Sequence, residues 1–120
     1  MARTFLLIGA LAGVVGVTAG AFGAHGLRGR LSPDMFAVFE TAVRYHMYHA
    51  LALVLVSALM ARIDGWLMHA AGWSFAIGIV LFSGSLYALA LTGARFFGPV
   101  TPIGGLAFVL GWAFLAIAAL

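Results

Sequence analysis

Glu40, Arg44, Tyr45, His46, Tyr48 and His49 fall within ten consecutive residues, in a chain that is otherwise strongly apolar. On a helix Glu40 and Arg44 stand at i and i+4 and can form an ion pair. Tyr45 and His49 have the same spacing and share another face. His46-x-x-His49 brings two imidazoles to i and i+3, close enough to share a metal ion, and His25 closes an earlier apolar segment on the same side of the molecule. The site these residues could build is a polar ligand pocket of His25, Tyr45 and His49, with Arg44 and Glu40 at its mouth. A metal or haem site is not expected, because no third fixed ligand and no acid beyond Glu40 accompany the histidines. An enzyme is not expected either: Ser83 and Ser85 lack an evident base and a nucleophile turn, and Asp64 sits beside Arg62 in a short loop, as a surface pair would. Two readings of His49 stay open. An ionisable group one to two turns below a membrane surface is a functional candidate, and a neutral imidazole can equally bond a neighbouring helix and hold a bundle together.

The elements that must position these residues follow from composition. Hydrophobic residues make up 65% of the 120 and charged residues 8%, with a mean hydropathy of +1.17, far from the roughly 25% charged usage of soluble domains. A hydrocarbon core of about 30 Å needs about 20 helical residues, and four stretches supply them: 4–24, 42–61, 67–91 and 102–120. The fold class is therefore all-α, a single integral membrane domain of four transmembrane helices. A β-barrel is excluded by short length and by continuous rather than alternating apolarity. Ser32-Pro33-Asp34 reads as an N-cap, a first-turn proline and a first-turn acid, so the second helix gains an interfacial extension over 33–41. The first apolar run exceeds the roughly 7–15 residues of a leader's apolar region and is read as a retained span. Six arginines and no lysine, set against three acids, give a net charge of +3. They are scattered, so no nucleic-acid partner is expected. The absence of cysteine removes disulfides and thiolate chemistry.

Small residues mark the faces on which the spans should pack. Gly9, Gly13, Gly16, Gly20 and Gly23 recur at alternating fours and threes and form one stripe on the first helix, which lets two backbones approach closely in a bilayer. Ala71, Ser74, Gly78 and Ser85 continue such a seam on the third helix, and Gly104, Ala107 and Gly111 on the fourth. Gly20 to Gly26 is glycine-rich but closes a helix instead of opening one, so it lacks the N–H groups of a phosphate cradle. Arg28 and Arg30 read as topology determinants or as contacts to anionic lipid head groups. Arg3 and Arg62 lie on the side of the termini and Arg28, Arg30, Arg44 and Arg95 near the other, so the positive-inside rule favours both termini outside. Gly23-Ala24 with Ser32-Pro33 and Gly93-Ala94 with Thr101-Pro102 repeat at similar offsets, as two duplicated hairpins would or as helix ends sharing cap chemistry would.

Four motifs in order along the chain resemble one family. They are Gly20-Ala-Phe-Gly-Ala-His-Gly26, Tyr45-x-x-x-His49-Ala-Leu-Ala-Leu53, Ser83-Gly-Ser-Leu-Tyr87, and Thr101-Pro-Ile-Gly-Gly105 with Gly111-Trp112. Together they resemble the small membrane proteins of the DUF423 family, which is related to the eukaryotic transmembrane protein 256. The resemblance implies a four-helix protein of the bacterial inner membrane, without an established activity, and draws attention to His25, Tyr45 and His49. The expected function is a structural or accessory membrane component that can oligomerise or join a membrane complex, with membrane lipids as partners. The alternative is a small-molecule or lipid-binding protein, or a minimal transporter, built on the polar site.

Overall fold

Ser32 shows how local chemistry sets the helix boundaries. Its Oγ accepts the Met35 N–H at 3.2 Å, Pro33 occupies the first turn and Asp34 places its charge there, where the helix dipole favours an anion. The helix that follows runs unbroken over Pro33–Leu59, so the interfacial extension is collinear with its span. The computed structural model describes all residues, Met1–Leu120, and contains four helices long and apolar enough to cross a membrane. They are α1 (Ala2–Leu27), α2 (Pro33–Leu59), α3 (Trp66–Thr92) and α4 (Val100–Ala118), the last preceded by a 3-10 turn over Arg95–Phe97.

Two helices depart from regular geometry. α1 does not stop at Ala24 but widens into a π-helical turn over Gly23–Leu27, and the chain leaves it through Gly29 at a φ of 83°. α3 carries a π turn in its middle, over Ile79–Ser83. Its end is the expected glycine cap: Gly93 adopts the left-handed conformation and its N–H reaches the Leu89 carbonyl at 2.8 Å. α4 begins at Val100, ahead of the expected Thr101-Pro102 start, because the Thr101 hydroxyl is bonded to Ser85 at 2.7 Å and caps nothing. The features that suggested duplicated hairpins are thus built differently, since Gly23 stays right-handed within its helix while Gly93 is left-handed.

The helices pack mainly in chain order, α1 on α2, α2 on α3 and α3 on α4. Several glycines at the helix contacts are holes for large side chains of the facing helix. A Cβ on Gly16 would overlap Met47, one on Gly72 the Phe5 ring, one on Gly78 the Phe108 ring, and one on Gly111 would lie 2.6 Å from Phe75. True backbone approach occurs at Gly9, 3.0 Å from the Ala50 carbonyl by the same measure, and at Gly104, where the added atom would strike the backbone of Phe82 in the π turn. Gly20 and Gly23 complete the α1 face against Val43 and Phe39. Gly13 does not belong to that face: a Cβ there would meet nothing within 4 Å. The resulting core joins Phe5, Leu53, Val56, Met68, Phe75 and Phe108. Polarity is inverted relative to a soluble fold, with His46, His49, Ser83 and Ser85 buried while Leu7, Val14, Val80 and Val109 are each at least 60% exposed.

Candidate functional site

His49 lies at the centre of the bundle, 4% exposed, and its ring is fully engaged. Nδ1 is 2.7 Å from the Tyr45 carbonyl, one helical turn back. The Trp112 indole N–H of α4 donates to Nε2 at 3.1 Å. An indole can only donate, so Nε2 is bare and the proton sits on Nδ1, which donates to Tyr45. The imidazole also stacks on Phe108, with centroids 3.5 Å apart and planes 7° from parallel, and Phe75 packs 5.6 Å away. Gly111 leaves the space for Phe75, which in turn holds Trp112 edge-on at 4.9 Å. Tyr45 is stacked beside His49 at 6.3 Å; with Tyr48, Phe82, Phe108 and Trp112 the pair lines a hollow of about 370 Å³. The hollow is aromatic, and His49 offers it no free nitrogen.

His46 is equally buried but differently served. Its Nδ1 is 2.9 Å from the Tyr87 hydroxyl of α3, while Nε2 has no hydrogen-bond partner. The Ala12 carbonyl of α1 faces the ring without meeting hydrogen-bond geometry at Nε2. The ring borders an apolar cleft between α1 and α3, with Ile8, Leu11, Ala76 and Ile79. His46 and His49 therefore bond to different helices, α3 and α4, and do not act as one pair. The serines also serve the packing. Ser83 donates to the Ala42 carbonyl at 2.8 Å across the α2–α3 contact; Ser85 bonds the Phe82 carbonyl at 2.9 Å, next to the π turn.

Glu40 and Arg44 line a third place, near the mouth of the α1–α2 hairpin. With Gly20, Gly23, Arg28 and Phe36 they border a hollow of about 230 Å³. The expected Glu40–Arg44 bridge is not formed, as no carboxylate–guanidinium contact within 4.0 Å joins them. The pocket expected from His25, Tyr45 and His49 is not assembled. Gly23 faces Phe39, ten residues before His49, which corresponds to about 15 Å along the helix. His25 is exposed on the π turn at that far end. Spacing along one helix was enough to pair Tyr45 with His49; the α3 and α4 partners Tyr87 and Trp112 carry no local signal of their role.

An apolar exterior, four spanning helices and an interior closed by neutral hydrogen bonds and stacked rings define a small multi-pass membrane protein. The chain belongs to the DUF423 family, described as "Protein of unknown function", whose model matches residues 19–105. It is 47% identical to the UPF0382 membrane protein SH2409 of Staphylococcus haemolyticus, over 96% of this chain and 93% of that protein. It is 44% identical to the UPF0382 membrane protein YwdK of Bacillus subtilis, over 98% of this chain and 96% of that one. No solved structure matches.

Proposed function

We propose that the protein is a non-enzymatic structural or accessory component of the bacterial inner (plasma) membrane, with both termini outside. The observation that carries this reading is the saturation of His49: the buried ring bonds its own helix through Nδ1 and joins α2 to α4 through Nε2 and one ring face, leaving no free nitrogen for a substrate or a proton relay. Ser83 and Ser85, which lack the base and the turn of a nucleophile, are likewise committed to interhelical and π-turn contacts. Assembly with a second copy or a membrane partner would use α1, which exposes Leu7, Leu11 and Val14 on its outer face and leaves Gly13 uncovered at the edge of its α2 contact.

Native mass spectrometry of the protein released from its own membranes, beside a His49→Ala variant, tests the reading. The expected result is the same chain or oligomer in both, with a lower unfolding temperature for the variant. A discrete small-molecule mass on the natural protein that vanishes in His49→Ala would overturn it.

A further inference from the structure

The hollow at the mouth of the α1–α2 hairpin collects three charged side chains that the packing does not use. Arg28 enters from the end of α1 and is steadied over the Phe36 ring, its guanidinium carbon 5.7 Å from the ring centre. Glu40 and Arg44 enter from α2, and Gly20 and Gly23 supply a wall with no side chains. The volume, about 230 Å³, is many times the roughly 10–15 Å³ that a single water needs, room for a polar head group.

Its depth matches the same chemistry. About 20 helical residues cross the hydrocarbon. Counted from the end of α2 at Leu59 they reach Phe39 and Glu40; counted from Arg3 on α1 they reach Gly23. Both counts put the hollow at the hydrocarbon boundary, where phospholipid phosphates lie and where an arginine on the second helix can extend toward the polar side. Two guanidiniums suit a phosphate, which they bind through paired N–H donors. A phosphate alone would set its charge beside the Glu40 carboxylate. A primary ammonium next to the phosphate removes that repulsion and gives Glu40 its partner.

We infer that this hollow seats a phospholipid whose head group carries a primary amine beside its phosphate, with the phosphate between Arg28 and Arg44 and the ammonium against Glu40. The site is separate from the His49 joint, so this inference does not depend on the proposed function.

The test is native mass spectrometry of the full chain in detergent micelles doped with equal amounts of phosphatidylethanolamine, phosphatidylcholine and phosphatidylglycerol. The natural protein is expected to retain phosphatidylethanolamine about threefold to fivefold over the other two, the ratio of a partly exposed ion pair. Glu40→Gln should abolish that preference while phospholipid is still retained, and Arg28→Gln with Arg44→Gln should reduce retention of all three. His49→Ala should leave the preference intact. Circular dichroism identifies folded variants, and Glu40→Gln, at an exposed position, serves if the double variant does not fold. Equal retention of the three lipids by the natural protein, a preference for phosphatidylglycerol, a preference unaltered in Glu40→Gln, or displacement of the lipid by inorganic phosphate would each overturn the proposal.

Discussion

His46 and His49 stand three residues apart on one helix, yet one has both ring nitrogens partnered and the other has one. The difference decides what each substitution should cost. Tyr87→Phe removes the only hydrogen bond of the His46 ring and leaves a buried imidazole with no partner, at an expected cost of about 1 kcal/mol. Pairing it with His46→Leu should recover much of that loss, because removing both polar partners is far cheaper than orphaning one. Unfolding titrations of the two single variants and the double would measure the coupling. The alignment of His49 with Tyr45 was legible from spacing, since both sit on one helix. Its role was not, because Trp112 lies 63 residues further on and only the fold makes them neighbours.

At the scale of the helix, the α1 glycine stripe was legible as a packing face, and its one departure has a geometric cause. Gly9, Gly16 and Gly23 keep a seven-residue step, which drifts by only about 20° per repeat on a straight helix and stays on α2. Gly13 lies about 40° from Gly9 in the opposite sense at about 100° per residue, outside that contact. Gly13→Leu should therefore leave the unfolding temperature of the chain unchanged and alter only assembly, read by size-exclusion chromatography in detergent. Gly104→Ala should destabilise by about 1–3 kcal/mol, the cost of overpacking, because its Cβ would strike the Phe82 backbone rather than a movable side chain. The π turn that brings this backbone to Gly104 was not legible: Ile79–Ser83 has the composition of any apolar helix. The Ser32 cap was, since serine, proline and aspartate in sequence satisfy the first turn locally.

For the whole molecule, four spans put both termini and the α2–α3 loop on one side of the membrane and the α1–α2 and α3–α4 loops on the other. The arginines concentrate on the second side. The natural chain has no cysteine, so single-cysteine variants report topology cleanly. With the termini outside, Asp64→Cys should react with a membrane-impermeant thiol reagent on intact cells, and Phe96→Cys only after permeabilisation; the reverse pattern would invert the orientation. The four-span architecture was legible from apolar length alone, because every backbone group must be satisfied inside the bilayer. The separation of His25 from His49 was not, since it depends on the register of the α1–α2 hairpin, in which the end of α1 at Gly23 meets Phe39, ten residues before His49. What closes the molecule is the joint at which α4 reaches α2, and nitrogen-15 NMR of the His49 ring examines it directly. The account predicts a protonated Nδ1 and a bare Nε2 whose resonance shifts when Trp112→Phe removes the indole N–H. A proton on Nε2, or an Nε2 resonance indifferent to that substitution, would contradict it.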